Sequence, residues 1–83
     1  KTTTMQQNQP HVNIKCYPKH LSEKQLSDFS SELTDLIKKH LSANDGDISV
    51  DYNEIQPEEW KTVYDEDIKP RMNNLLKRPG YEM

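Results

Sequence analysis

The 83-residue chain has a single cysteine, no long apolar run and fewer cations than anions. A lone Cys16 closes no intramolecular disulfide, and without a CxxC pair there is neither a dithiol redox motif nor a zinc knuckle. No stretch approaches the roughly 18 apolar residues of a membrane-spanning helix, and no signal-peptide core is visible. Eleven Lys and Arg against fourteen Asp and Glu leave a net charge of −3, which opposes attraction to phosphate backbones and to anionic membrane surfaces. Neither nucleic acid nor membrane is therefore an expected partner. The densest basic cluster, Lys38-Lys39-His40, falls at the end of a helix-patterned segment, where cations complement the helix dipole. The chain begins at Lys1 rather than at a methionine, which leaves open what preceded it.

Apolar residues are also scarce, at 31% of the chain, with a mean hydropathy of −1.08. A domain this short buries only a modest fraction of its unfolded surface, and a thin core does little to offset the entropy of ordering the chain. Some apolar surface is expected to be shared with another subunit. His11, Cys16, His20 and His40 lack i, i+4 or CxxC spacing, so no metal site is expected. Phosphate-binding loops, nucleophile elbows and paired-carboxylate motifs are absent, and no cofactor is implied.

What is there reads as strand, helix, strand. Residues 1–9, KTTTMQQNQ, are polar and aperiodic, and read as a flexible arm. From His11 to Tyr17 the pattern alternates, with Val12, Ile14 and Cys16 on one face and His11, Asn13 and Lys15 on the other; Pro18 ends the strand. Ser22 and Gln25 form a capping-box pair, and Leu26, Phe29, Leu33, Leu36, Ile37 and Leu41 follow at helical spacing. A helix is predicted from about Glu23 to about Leu41. Asn44-Asp45-Gly46-Asp47 is a turn cluster in which Gly46 is free to take a positive φ. A second alternating strand, Ile48 to Ile55, comes next, and Pro57 then opens a short helix carrying Trp60, Val63 and Tyr64. Pro70 interrupts that helix or starts a further turn, and Pro79-Gly80 closes it. A βαβ unit of this length has a right-handed crossover and parallel strands. Two strands are not a sheet that stands alone, and one helix covers one face, so the other face is expected to be covered by another subunit, most simply in a symmetric dimer.

The segment from Pro10 through the capped helix, the Ile-Gln-Pro-Glu-x-Trp stretch at residues 55–60 and the Pro-Gly-Tyr-x-Met end at residues 79–83 together closely resemble the 4-oxalocrotonate tautomerase family, most of all its dimeric bacterial branch. The resemblance spans Pro10 to Met83. It implies an α+β fold, a tautomerase-like βαβ unit with short C-terminal helices and a sheet completed by oligomerisation, in which 10–83 is the domain and 1–9 the appended arm. It implies homodimers, or higher oligomers built from dimers, and by family default a cytoplasmic protein, or an exported one if a leading signal was removed.

The resemblance also implies keto–enol tautomerisation of a small α-keto acid or its enol, with Pro10 as the proton-shuttling base. In the family the proline is the first residue after methionine removal. An α-amino group starts at a pKa of about 7.7–8.0, and an apolar pocket lowers it further, so that a neutral amine takes and returns a proton at working pH. Here Pro10 follows Gln9, and its nitrogen is an amide whose lone pair is delocalised into the peptide bond. Either the Gln9–Pro10 bond is cut, or the chain is a non-catalytic oligomeric binding protein of the same fold with Pro10 serving as the first residue of a strand.

Where hexameric relatives carry two substrate-binding arginines, the matching positions are His20 and Ser49. Neither offers a bidentate fork, so the resemblance points to an aromatic or monocarboxylate enol rather than a dicarboxylate. His20 is a hydrogen-bonding substrate contact or an exposed loop histidine, and Ser49 belongs to the polar face of the second strand. Trp60 matches an aromatic wall beside the proline, a role compatible with anchoring a core or an interface.

Overall fold

The computed structural model describes residues 9–83. The arm expected over residues 1–9 lies, apart from Gln9, outside the described residues. Strand β1 (His11–Cys16) and strand β2 (Ser49–Glu54) pair in parallel, and helix α1 (Glu23–Leu41) makes the crossover between them. The register sets Val12 beside Val50, Ile14 beside Tyr52 and Lys15 beside Asn53. Two bonds extend the ladder past both strand ends, from Ser49 N–H to the Pro10 carbonyl at 3.1 Å and from Ile55 N–H to the Cys16 carbonyl at 2.7 Å. Pro10 is thus tied into the sheet through its carbonyl, the one backbone hydrogen-bonding group that proline keeps.

Helix α1 begins as its capping box requires. The Ser22 hydroxyl accepts from Gln25 N–H at 3.1 Å, and the Gln25 side-chain carbonyl accepts from Ser22 N–H at 2.9 Å. The helix ends at Leu41, as predicted. The left-handed residue that stops the helix is Ser42, at φ 55° and ψ 39°, and no glycine among the described residues has a positive φ. Gly46 instead sits in a 3-10 turn, Asp45–Asp47, closed by the bond from Asp47 N–H to the Asn44 carbonyl at 3.0 Å. The helix is already terminated before the turn cluster begins, so the cluster has only to aim the chain into β2.

The alternating strands divide the sheet into unlike faces. Val12, Ile14, Val50 and Tyr52 turn towards α1, where Phe29 meets Tyr52 edge-on at 6.3 Å. The opposite face is hydrogen-bonded: His11 Nδ1 lies 2.7 Å from Ser49 Oγ, and Asn53 donates to the Asn13 side-chain oxygen at 3.0 Å. Part of this face is reached from within the protomer, in addition to the cover expected from another subunit. The chain's own C-terminal run, residues 57–74, reaches it, and the Lys15 ammonium meets the Asp67 carboxylate there at 2.5 Å.

That run changes pitch repeatedly. A 3-10 turn, Pro57–Glu59, leads into helix α2 (Trp60–Val63), a wide turn of π-helix at Tyr64–Ile68, and a last 3-10 stretch, Lys69–Asn74. Pro70 supplies no N–H to continue an α pattern, and Lys69 N–H reaches back five residues to the Tyr64 carbonyl. The buried apolar residues are Ile37, Ala43, Val63 and Tyr64, and Tyr64 is the most enclosed at 4% exposure. On the stripe of α1, Phe29, Leu36 and Leu41 remain exposed. With an open two-stranded sheet and Ile37 alone buried on its long helix, the protomer is an α+β half-structure fitted for completion by a further copy.

Candidate active site

Pro10 stands at the head of β1, partly buried, its carbonyl accepting from Ser49 N–H, and the neighbouring His11 side chain pairs with Ser49. Ser49 therefore lies on the polar face of β2, hydrogen-bonded across the sheet. Trp60 lies towards the other end. Its indole meets the ring of Tyr17 edge-on at 5.4 Å, and Tyr17 is seven residues beyond Pro10, about 23 Å along a chain that rises roughly 3.3 Å per residue. His20 follows Tyr17 in the loop before α1, exposed and in the left-handed region at φ 57°. One protomer thus sets Trp60 against Tyr17, beyond the end of β1 away from Pro10, with Trp60 also bordering the sheet face at Asn13 and Lys15, and His20 follows in the loop after Tyr17.

Trp60 stands between two cavities. One, of about 560 Å³, is walled by Tyr17, Trp60 and Tyr81, with Lys15, Cys16 and Lys19 at its edges. The other, of about 520 Å³, lies over the polar sheet face between Asn13, Lys15, Val63 and Arg71. Neither includes Pro10 or His20. The first is the more aromatic, and among the described residues Lys19 is its cation not engaged by a carboxylate, since Lys15 is paired with Asp67.

Behind the first cavity runs a polar chain that alternation alone did not announce. The Cys16 thiol donates to the Tyr52 hydroxyl at 3.5 Å, and that hydroxyl donates to the Glu54 carboxylate at 3.0 Å. The same Glu54 oxygen accepts from Lys19 N–H at 3.2 Å, fixing the start of the loop that carries His20. The contact with Cys16, partial burial and the Glu54 carboxylate together push the Tyr52 phenol well above its ordinary range, so it is a neutral donor. Among the described residues no cluster of three or more His, Cys, Asp or Glu side chains is placed to hold a metal ion. Nor is any helix among them long and apolar enough to cross a membrane.

Two cavity walls escaped the sequence reading. Tyr17 reads as the last residue of an alternating strand, and Tyr81 belongs to an aperiodic tail. The Trp60–Tyr81 pairing spans 21 residues, beyond the reach of any helical or strand period.

A model of the tautomerase family, described as tautomerase enzyme, matches residues 10–69. The chain belongs to the 4-oxalocrotonate tautomerase family. Within it, the chain falls in the branch typified by tautomerase PptA. It is 43% identical over 74 residues to Tautomerase PptA of Escherichia coli strain SMS-3-5, covering 89% of this chain and 99% of that relative, and equally similar to Tautomerase PptA of Shigella sonnei strain Ss046. The family match begins at Pro10, the residue at the head of β1, and runs through Trp60 and the π-helical turn.

Proposed function

We propose that this tautomerase-family chain is an isomerase that interconverts the enol and keto forms of a small α-keto acid, with the Pro10 amine as proton shuttle once it is freed from Gln9. The observation that carries the reading is the start of the family match at Pro10. In this reading residues 10–83 are the catalytic domain and residues 1–9 an arm. A homodimer completes the sheet, and Trp60 and His20 reach Pro10 from a second copy, because within one protomer they lie at the far end of β1. An apolar wall of indole beside a secondary amine disfavours the charged form and keeps the amine neutral near pH 7. A neutral amine takes the proton from the enol oxygen and returns one to carbon, and the imidazole of His20 is available to the carboxylate or carbonyl.

The test compares protein beginning at Pro10 with the full chain, using phenylenolpyruvate. The trimmed protein is expected to speed ketonisation, Pro10→Ala to abolish it, and the full chain to be inert. A trimmed protein no faster than buffer would overturn the reading.

The intact Gln9–Pro10 amide favours a second reading, a non-catalytic oligomeric binding protein on the same fold. Intact mass of the protein isolated from its own cell separates the two, since the first requires chains that begin at Pro10 and the second requires the bond to persist.

A further inference from the structure

Residues 81–83 carry no regular secondary structure, yet one side chain ties them to both the core and the candidate site. The Tyr81 hydroxyl oxygen accepts the indole N–H of Trp60 at 3.0 Å. Its ring lies 5.9 Å from the ring of Tyr64, tilted at 42°, and Tyr64 is the most enclosed residue described. Pro79, with its fixed φ, and the bend at Gly80 turn the tail back onto the C-terminal run. Tyr81 therefore rests on the core through its ring and grips the indole through its oxygen.

The grip matters because of what else holds Trp60. Tyr17 meets it edge-on, at 87° between planes, and such a contact tolerates rocking of the indole about its outer torsion. A hydrogen bond to the single N–H of the ring selects one orientation of that plane. The same three rings wall the 560 Å³ cavity, so the orientation of Trp60 decides whether an indole face or an indole edge is offered to a ligand.

From this geometry we infer that Tyr81 is a positioning residue: it fixes the plane of Trp60 and so sets the aromatic wall against which the ring of an aromatic α-keto acid stacks. The inference deepens the tautomerase reading and rests on Trp60 lining that site. Tyr81 is 44% exposed, so its bond competes with water and has the strength of an ordinary neutral hydrogen bond. A ligand that must itself re-impose the indole plane loses at most the worth of that bond, about fivefold in affinity.

The test uses the full chain, in which Trp60 is the only tryptophan and its emission reports this one ring. Tyr81→Phe keeps the ring on Tyr64 and removes only the hydroxyl. The variant is expected to stay folded and to melt only a few degrees below the wild type, to emit at longer wavelength, and to be quenched more readily by acrylamide. Its affinity for phenylpyruvate, by calorimetry, is expected to fall severalfold, by at most about fivefold. A chain lacking residues 81–83 should move emission and quenching further in the same direction. Wild-type emission and quenching in Tyr81→Phe would overturn the inference, as would shifted emission with unchanged phenylpyruvate affinity. None of these readouts needs the Pro10 amine. A trimmed protein without turnover would therefore count against the catalytic reading and leave the positioning role of Tyr81 standing.

Discussion

If Pro10 and Trp60 serve one site, that site spans two copies, and two crippled subunits should repair each other. Within a protomer Trp60 packs on Tyr17, and Tyr17 lies about 23 Å along the chain from Pro10 at the ordinary strand rise, farther than a small acid spans. Take chains beginning at Pro10, one carrying Pro10→Ala and the other Trp60→Ala, unfold them together in equal amounts and refold. In a symmetric dimer half of the assemblies are mixed, and each mixed pair holds one site with both lesions and one with neither. The mixture should therefore recover about a quarter of the wild-type turnover, well above the mean of the two parents. Trp60→Ala gives up the edge contact with Tyr17 and the bond to Tyr81, about 2 kcal/mol together. The α1 ellipticity of each parent should accordingly be checked before mixing. Turnover of the mixture equal to the parental mean would refute the shared site and with it the argument from strand length.

Three further outcomes follow from the local structure. Ser22→Ala removes half of a complete capping box and should cost about 1 kcal/mol of stability, read from chemical denaturation. Ser42→Gly relieves a left-handed serine of about 1–2 kcal/mol of strain against a glycine entropy cost of about 0.4–1 kcal/mol, so the melting temperature should rise. Tyr52 holds its proton more tightly folded than unfolded, so its contribution is fully present below its ordinary value of 10.0 and is lost as pH climbs towards the raised folded value. Thermal stability should decline above pH 10.0, and Tyr52→Phe should flatten that decline; an equally steep alkaline slope in the variant would exclude Tyr52 as its source.

The βαβ frame was legible because its signals are local. Ser22 and Gln25 are three residues apart and mark the start of α1, and the alternation of Val12, Ile14 and Cys16 already separates the two sheet faces. The helix end at Leu41 was legible too, but its stop was not, for an equally local reason: glycine is the default left-handed residue, and Ser42, two residues before the turn cluster, takes that position instead. Pro10, Trp60 and His20 were legible as residues but not as neighbours. Their distribution between the two ends of β1 depends on strand length and on the path of the C-terminal run. That path turns on the pitch changes around Pro70 and the tail bend at Gly80, where no periodicity survives. The Cys16–Tyr52–Glu54 chain was hidden for another reason. Tyr52 presents its ring to Phe29 as an apolar residue and its oxygen to Cys16 and Glu54 as a polar one, and alternation reads only the first role.

Two separate conditions thus stand between this chain and the chemistry of its family. One is covalent: while the Gln9–Pro10 bond is intact, the nitrogen is an amide and no change in its surroundings makes it a base. The other, under the proposed mechanism, is geometric: a protomer alone holds Pro10 before a six-residue strand and packs Trp60 on Tyr17 beyond its other end. In that reading, cutting the bond without assembly leaves a free amine without the indole wall that would favour its neutral form. Assembly without the cut leaves a formed pocket around an inert nitrogen, a state suited to binding an α-keto acid without turning it over. Binding and turnover should therefore separate experimentally, the first following subunit concentration and the second requiring the new amino terminus as well.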